Sequence, residues 1–539
     1  MIMKKTYWFV AGAIALSALL YACGGGSGAS PDSGATGASS SSGSPSAAGP
    51  VSVSAVGGTV TGFASMVIDG YEYADNTATS VAEEIDPSSP SAASLSLVQL
   101  GQHVDFDLNG GVLGAGFIRP RVVGPVATVS ASANRFLVLG QTVETSATTV
   151  FGGGYGSIAD VQSGNVVKVH GTPNSDGSIA ATRVELVSST AVVPGYLVVG
   201  TVASLSPGTP AAFSINQLSV TDTGATVLLP GGASLADGEV VTVFAPASAY
   251  TGTATATPAV DASVVRIHPS LAGLTVVEGG RVQAVTDTGG VVTSFAMDGF
   301  TVDTTSSSLS IVDDGKPGTL ADIVVGARVV VEGTFSSSGI LVASNIWIGT
   351  PQVLLAGPVY SVASTNSAGG GSFILRHTVV NYNSTTAFAP SSDSWSNLAS
   401  GAYVVVVGTP GAAGMSATTI TFLPVPCGVT PLSLGGDAPA GWAPPASIAA
   451  SCGPSGSSGG SPSYHYAGTA SAVTTTSAGT AFTLTGLDGT TVTVDVSGAT
   501  LLAPEGVSIA DLMNGSKVLV IGTLGASGAL SATYLLILQ

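Results

Sequence analysis

The sequence is poor in charged side chains. Only 8% of its 539 residues are Asp, Glu, Lys or Arg, and 31 acidic side chains outnumber 13 basic ones. Such an acidic chain repels phosphate backbones, so we expect no nucleic-acid partner. Cysteine is also scarce, with three residues and no Cys-x-x-Cys motif, which excludes a disulfide-rich scaffold. Because no helical hydrophobic period longer than about two turns follows Cys23, a helical domain is excluded as well.

Glycine is abundant, and it recurs in a repeated motif. The chain contains 73 glycines among many Val, Thr, Ser and Ala residues, a composition typical of all-β proteins. The motif Gly-x-x-Val-x-(Val/Phe)-x-Gly is complete at Gly164–Gly171, Gly326–Gly333, Gly401–Gly408 and Gly515–Gly522, and degraded at Gly238–Ala245 and Gly101–Leu108. Each copy opens 38 to 47 residues earlier with Gly-x-(Val/Ala), as at Gly124 and Val126. The sequence therefore predicts six repeats of one strand-rich unit.

Each repeat reads as a strand, a hairpin, one helical turn and two further strands. The helical turn is indicated by capping-box patterns, Ser157-x-x-Asp160, Thr319-x-x-Asp322 and Ser508-x-x-Asp511. We expect the next glycine of each repeat to be the left-handed C-cap of that turn; these structural glycines are Gly101, Gly164, Gly238, Gly326, Gly401 and Gly515. The element order matches the five-stranded oligonucleotide/oligosaccharide-binding (OB) barrel. The predicted fold is all-β, a tandem array of six small OB-like barrels.

The repeats are predicted at residues 57–122, 123–188, 196–268, 276–349, 354–422 and 465–538. The core strands of repeats 5 and 6 are apolar on both faces, whereas repeat 2 carries Lys168 and His170 on its second face. We therefore expect late repeats to pack against a neighbour and early repeats to be better solvated.

The N-terminus carries a targeting signal. Lys4 and Lys5 precede an apolar run from Tyr7 to Tyr21, which suits a signal peptide of residues 1–22. The run ends at Ala22-Cys23, which resembles the bacterial lipobox, in which the cysteine is lipidated. An ordinary secretory signal with an incidental Cys23 is the alternative. Residues 23–50 are rich in Gly and Ser and predict a flexible tether. We expect an outer-membrane lipoprotein facing the periplasm or the cell surface, attached to the membrane through lipid on Cys23.

One long Pro-rich insert, residues 423–463, separates repeats 5 and 6. It contains the other two cysteines, Cys427 and Cys452. In an oxidising compartment these two should form a disulfide. A metal or redox pair is the alternative, but no histidine lies between the two cysteines.

The sequence shows no catalytic motif. The five histidines fall in five different repeats and are expected at the surface. Asp105-x-Asp107-x-Asn109-Gly110 imitates a calcium loop, but Gly116 stands where the last ligand belongs, and a strand entering an Asn-Gly turn explains it equally. We therefore predict no metal and no cofactor. A catalytic function would have to use loop acids such as Glu83, Glu84, Asp86 or Asp303.

The lipobox, the Gly/Ser tether and the repeats together resemble an uncharacterised family of proteobacterial lipoprotein repeats, known only as a domain of unknown function. The resemblance implies fold and location and assigns no active-site residue. We expect a non-catalytic envelope scaffold that binds an envelope protein or an oligosaccharide. The alternative is an envelope hydrolase acting on glycans or peptides.

Overall fold

The computed structural model describes residues 53–422 and 463–538, apart from short gaps at 64–65, 74, 76–78, 94, 110–111, 190–192, 209, 231–233, 254–255, 269–270, 314–315, 350–351, 366–369, 376–377, 390–393, 400–401, 477–478, 487–490, 502–508, 510–511, 514–515 and 525–528. The predicted signal peptide, the tether and nearly all of the insert lie outside the described residues. So do several residues named above: Cys23, Cys427, Cys452, Gly401 and Gly515.

The described chain consists of β-strands joined by turns and short 3-10 helices, which confirms the all-β prediction. Repeat 1 contains β1 (Ala55–Phe63), β2 (Met66–Ile68), β3 (Tyr71–Tyr73), β4 (Ser80–Glu83), β5 (Ser91–Ala93), β6 (His103–Asn109) and β7 (Val112–Ile118). Repeat 2 contains β8 (Val122–Ser130), β9 (Arg135–Val138), β10 (Gln141–Glu144), β11 (Val150–Gly152), β12 (Val166–Pro173) and β13 (Ile179–Ser188). Repeat 3 contains β14 (Gly195–Thr201), β15 (Ala203–Ser206), β16 (Ala211–Ile215), β17 (Leu218–Leu229), β18 (Val240–Pro246), β19 (Tyr250–Thr253) and β20 (Ala256–Ile267).

The second half of the chain repeats the pattern. Repeat 4 contains β21 (Thr275–Arg281), β22 (Ala284–Thr288), β23 (Val291–Met297), β24 (Phe300–Asp303), β25 (Ser310–Asp313), β26 (Lys316–Pro317), β27 (Arg328–Phe335) and β28 (Leu341–Ile348). Repeat 5 contains β29 (Val353–Thr365), β30 (Gly371–Leu375), β31 (Thr378–Tyr382), β32 (Ala387–Ala389), β33 (Tyr403–Gly411) and β34 (Gly414–Phe422). Repeat 6 contains β35 (Ser463–Thr476), β36 (Gly479–Gly486), β37 (Thr491–Asp495), β38 (Thr500–Leu501), β39 (Lys517–Leu524) and β40 (Leu530–Leu538). The 3-10 helices are Leu95–Leu97, Ala131–Ala133, Ile158–Asp160, Ala247–Ala249, Leu320–Asp322 and Trp395–Asn397.

Repeat 2 shows how one repeat winds. The second part of β8 pairs with β9, β9 pairs with β10, and β10 and β11 pair in parallel with β13. Strand β13 pairs with β12, which returns to the first part of β8, Val122–Pro125. That first part has a partner inside its own repeat along one edge only. Each repeat therefore presents one open strand edge to its surroundings.

The prediction of separate, closed OB-like barrels is wrong, because first strands of different repeats hydrogen-bond to each other. Strand β1 runs parallel to β21 and to β29, and β8 runs antiparallel to β14. Repeats 1, 4 and 5 thereby share a 21-stranded sheet, repeats 2 and 3 share a 13-stranded sheet, and repeat 6 forms a 6-stranded sheet. The chain is a β-solenoid of stacked coils. The physical reason is that a unit of this size cannot satisfy the exposed edge of its first strand alone.

The hydrophobic cores follow the same grouping. Repeats 2 and 3 share one core, repeats 1 and 5 share a second, and repeats 4 and 6 each have their own. A buried phenylalanine lies on the second or third strand of repeats 2 to 6, at Phe136, Phe213, Phe295, Phe373 and Phe482. Neighbours in space are therefore not always neighbours in sequence, since repeat 1 packs on repeats 4 and 5.

The first glycine of the repeat motif lies next to a pair of backbone hydrogen bonds and donates one of them. In repeat 2 the Gly164 N–H donates to the Val126 carbonyl at 2.8 Å, and the Val126 N–H donates to the Asn165 carbonyl at 2.8 Å. The same bond from the first-strand Val or Ala recurs in all six repeats, with donors Val60, Val126, Val202, Val282, Val359 and Ala470. This pair of bonds joins the first strand to the turn before the core strand, which explains why both positions recur in the sequence.

The motif glycines adopt left-handed backbone, but they are not helix C-caps. The φ angles of Gly101, Gly164, Gly238 and Gly326 are 84°, 89°, 90° and 88°. The C-caps are the aliphatic residues three positions earlier, Val161 and Ile323, in extended conformation. The capping boxes starting at Ser157 and Thr319 are confirmed. The C-cap prediction was wrong because the 3-10 turn ends early and the glycine forms a separate turn that enters the core strand.

The second glycine of the motif is required by a close approach rather than by its φ. The pairing of the last two strands shifts register next to Gly171, Gly333, Gly408 and Gly522. A Cβ at Gly333 would overlap the carbonyl oxygen of Val342, and the other three glycines face an opposing carbonyl in the same way. The glycine thus permits a β-bulge at the same place in each of these coils.

Candidate functional site: a buried ionic cluster between repeats

The most distinctive polar feature is a cluster of charged side chains where repeats 1 to 4 meet. It uses six of the 13 basic residues of this chain: Arg119, Arg121, Lys168, Arg183, Arg266 and Arg328. Each of these side chains is at most 17% exposed. Charge is scarce in this sequence, so its concentration between repeats calls for a structural explanation.

The contact between repeats 1 and 2 is built around Lys168 on β12. Its Nζ lies 2.6 Å from Glu83 Oε1 of repeat 1 and 2.8 Å from Glu185 Oε2 on the neighbouring β13. Arg183 also pairs with Glu185 and donates from Nη1 to the Leu100 carbonyl of repeat 1 at 3.0 Å. Burial alone would raise the pKa of Glu185, but Arg183 and Lys168 lower that pKa to about 2. This carboxylate stays ionised at neutral pH and holds two cations against repeat 1.

Two histidines meet in the same contact. His170 is fully buried, and its Nδ1 accepts a hydrogen bond of 3.2 Å from the backbone N–H of His103 in repeat 1. Burial, and then the adjacent Lys168 charge, holds the pKa of His170 well below its ordinary value, so the ring is neutral. The expectation of a surface histidine is wrong for His170. The expectation that the face carrying Lys168 and His170 is solvated is also wrong, because repeat 1 covers that face.

A second group of ions joins repeat 1 to repeat 3. Glu84 is only 3% exposed, and its carboxylate lies 2.5 Å from Arg266 Nη1 of repeat 3 and 3.7 Å from Arg119 Nη2. The Nε of Arg119 lies 2.9 Å from Asp105 Oδ2. Burial would raise the pKa of Asp105, but Arg119 and His103 outweigh burial and hold it below its usual range. Two arginines from different repeats thus converge on carboxylates of repeat 1.

Repeat 4 completes the cluster. Asp298 pairs with Arg121, which precedes β8, and Asp69 of repeat 1 pairs with Arg328 on β27. Glu278 on β21 lies near three carboxylates; burial and then the charge of Asp105 raise its pKa well above the ordinary value. Its surroundings therefore favour the protonated form of Glu278.

Glycines create the space that these acids occupy. A Cβ at Gly57 would overlap the carboxylate of Glu278, and a Cβ at Gly279 would overlap that of Asp69. The Asp69 carboxylate also accepts the Thr59 N–H at 3.0 Å. Backbone and acid therefore approach closely along the β1–β21 pairing, where repeats 1 and 4 meet.

The acids that could have served catalysis all have partners inside the protein. Glu83 and Glu84 pair with the cations described above. Asp86 accepts from the N–H and hydroxyl of Ser88 at 2.9 and 2.7 Å, and Asp303 accepts from Thr305 at 2.8 and 2.7 Å. Within the described ranges, no group of three or more His, Cys, Asp or Glu side chains is arranged to hold a metal ion. The segment that resembles a calcium loop, from Asp105 to Asn109, belongs to β6, which forms a hairpin with β7.

Sequence reasoning did not find this cluster. Its members are single charges on otherwise apolar strands, separated along the chain by as many as 259 residues, as for Asp69 and Arg328. One signal was available. Lysine and arginine are rare here, and several of them lie within strands, where a charged side chain must find a partner if the strand face is covered.

None of the helices in the described parts of the chain is both long enough and apolar enough to cross a membrane.

Comparison with known proteins agrees with the repeat assignment. Residues 123–185, 279–346 and 356–421, in repeats 2, 4 and 5, match the family described as "Domain of unknown function (DUF5666)". No curated protein matches the chain. The solved structure "drosophila Unr CSD456" aligns at 14% identity over 42% of this chain and 97% of its own, with a TM-score of 0.12, which is too low to support an argument. Three of the repeats therefore contain a DUF5666 domain, in keeping with the predicted relation to an uncharacterised repeat family.

Proposed function

We propose that this protein is a non-catalytic scaffold of the bacterial cell envelope, attached to the outer membrane through lipid on Cys23. The sequence supports the location through the Lys4-Lys5 leader, the apolar run and the Gly/Ser tether. The fold supports the role, because stacked coils of one repeated unit create an extended surface without a single catalytic centre. Its partner is an envelope protein or an oligosaccharide.

The observation that carries the proposal is that charged side chains form ion pairs between repeats. The basic side chains of repeats 1 to 4 pair with acids of a different repeat in several places, such as Lys168 with Glu83 and Arg266 with Glu84. Those side chains fix the relative positions of repeats, which a scaffold needs and which individually acting domains do not. The function is therefore a property of the assembled coils.

The experiment tests anchoring first. Cys23→Ser should abolish acylation and release the protein from membranes into the soluble fraction, with the parent chain as control. Retention of the variant in the outer-membrane pellet after a carbonate wash would contradict lipid attachment.

The same cells then test the scaffold. In-cell cross-linking of the parent should capture a reproducible partner, and Asp86→Asn and Asp303→Asn should leave that capture and any cellular phenotype unchanged. Both substitutions keep an oxygen that can accept the local N–H bonds. Loss of the phenotype in either variant, with folding intact, would favour an envelope hydrolase instead.

A further inference from the structure

In each of repeats 1 to 5, the same short part of the first strand pairs with another repeat. The two to three residues of each first strand that pair with another repeat lie within the four positions before the glycine of Gly-x-Val. Repeat 1 also pairs through Gly62 and Phe63, which follow that glycine. The pairs are Ala55–Gly57 with Val276–Glu278, Val122–Val123 with Leu197–Val198, and Leu354–Leu355 with Gly62–Phe63. Every one of these pairings joins one first strand to another first strand. The segment is therefore a docking edge that recurs with the repeat.

Repeat 6 has the same segment without such a partner. Its first strand is β35, its glycine is Gly468, and the corresponding residues are 464–467. Strand β39 pairs with this segment along one edge, and β36 pairs with β35 only from Gly468 onward. Within the described parts of the chain, no strand pairs with the other edge of residues 464–467.

The hydrogen-bonding groups that face this edge can be assigned from the ladder. The Ala470 N–H donates to the Ser516 carbonyl at 2.8 Å, and β35 and β39 keep one register from Ser463 to Thr469. Because bonded positions alternate along an antiparallel pair, Gly468 and Tyr466 face β39. His465 and Ala467 therefore direct their backbone N–H and C=O toward the open edge.

Repeats 2 and 3 show how two such edges fit together. Val122 and Val198 are partners in the antiparallel β8–β14 pair, and each stands two residues before the glycine of its own repeat. The Val199 N–H donates to the Arg121 carbonyl at 2.9 Å across this pair. Since equivalent positions oppose each other, the β8–β14 contact has local twofold symmetry. An edge that pairs in this way is complementary to a copy of itself.

We propose that repeat 6 is a dimerisation module, in which β35 pairs antiparallel with β35 of a second copy of this chain. The pair is centred on Tyr466, so His465 of each copy faces Ala467 of the other, in the register that β8 and β14 use. A second copy is the occupant because first strands in this protein pair with first strands, and those of repeats 1 to 5 are already engaged. The dimer covers an edge that would otherwise invite uncontrolled association.

A matched pair of tyrosine substitutions tests the register. In the proposed pair the two Tyr466 Cα atoms are about 4.5 Å apart, as in other non-hydrogen-bonded pairs, whereas the Tyr464 Cα atoms are roughly 13 Å apart. A disulfide requires Cα atoms within about 7 Å. The full chain, purified in detergent, should give a reducible dimer with Tyr466→Cys under mild oxidation. The amount of disulfide-linked dimer of Tyr464→Cys should remain at the level of the parent chain, whose natural cysteines set the background. Equal cross-linking of the two variants, or none in either, would overturn the proposal.

A second variant tests the edge without a new thiol. Ala467→Pro removes an N–H that faces the open edge and leaves the bonds to β39 in place. Repeat 2 already carries Pro125 in the first strand, at an outward-facing position. Light scattering after size-exclusion chromatography should show a dimer for the parent that becomes at least tenfold weaker in Ala467→Pro. A parent chain that stays monomeric as its concentration rises would refute the dimer, as would a dimer equally strong in the variant.

Discussion

Replacement of Lys168 by Met is the sharpest test of the ionic cluster. The substitution keeps an unbranched side chain one atom shorter than lysine but removes the charge that lies 2.6 Å from Glu83 and 2.8 Å from Glu185. Breaking a fully buried ion pair costs about 3–5 kcal/mol, because one charge is left without a partner. Glu83 is still 28% exposed and Arg183 still holds Glu185, so we expect a smaller loss of about 2 kcal/mol.

Arg135→Met is the matched control. Arg135 lies 2.6 Å from Glu144, the same distance as in the Lys168–Glu83 pair, but its side chain is 57% exposed. Exposed pairs contribute about 0–1 kcal/mol. Urea unfolding should therefore show a clear decrease of the midpoint for Lys168→Met and almost none for Arg135→Met. Equal shifts for the two variants would refute the argument that burial between repeats gives the Lys168 charge its importance.

The contribution of the Lys168–Glu185 pair to stability depends on pH with a definite sign. The pKa of Glu185 is about 2 in the folded protein against an ordinary value of 4.5, so the ionised form is favoured by folding. This stability is fully present above pH 4.5 and is lost as the pH falls toward 2. Lys168→Met removes part of the cause, so its unfolding free energy should change less than that of the parent across this window.

Three further outcomes are expected. His170→Asn should reduce the stability lost as the pH falls below 6.5, because this histidine gains a proton there in the unfolded chain but stays neutral when buried in the folded protein; urea midpoints from about pH 7.5 to about pH 5 measure this, and an unchanged slope would contradict it. Gly333→Ala should lower the unfolding free energy by about 1–3 kcal/mol, since its Cβ overlaps the Val342 carbonyl; a thermal unfolding temperature equal to that of the parent would be the opposite result. Mass spectrometry of unreduced protein should show one Cys427–Cys452 bridge, which closes a loop that stabilises by roughly 3 kcal/mol, and two free thiols in protein from the periplasm would refute the bridge.

The local structure of each repeat could be predicted because its causes are local. The sequence predicts a hairpin after the first strand of each repeat, and β36 and β37 form that hairpin in repeat 6. The Ser157 capping box lies within four residues and was visible in the sequence. The glycines at Gly326 and Gly333 are visible in the sequence too, although Gly326 forms a separate turn instead of the expected C-cap and Gly333 is required by a close approach to Val342.

Which repeats associate could not be predicted, because the association depends on the edges of the first strands, whose sequences are similar in all repeats. Val122–Val123 pairs with the repeat next in sequence, whereas Ala55–Gly57 pairs with repeat 4, and nothing in the residues themselves selects between these partners. From sequence alone, the face of β12 that carries Lys168 and His170 is expected to be solvated, because charged residues usually are. Its partners, Glu83 and the His103 backbone, lie 85 and 67 residues away.

Hydrogen exchange of Gly326→Val tests most directly whether repeats pair out of sequence order. Gly326 has a φ of 88° and no atom near its missing Cβ, so the substitution adds backbone strain of roughly 1–3 kcal/mol inside repeat 4 alone. Strand β1 pairs with β21 through Ala55–Gly57 and Val276–Glu278. Mass spectrometry should therefore show lower protection across repeat 4 and also in β1, with repeat 6 unchanged. Full protection of β1 beside a loosened repeat 4, or a uniform loss through repeat 6, would contradict the pairing of coils described here.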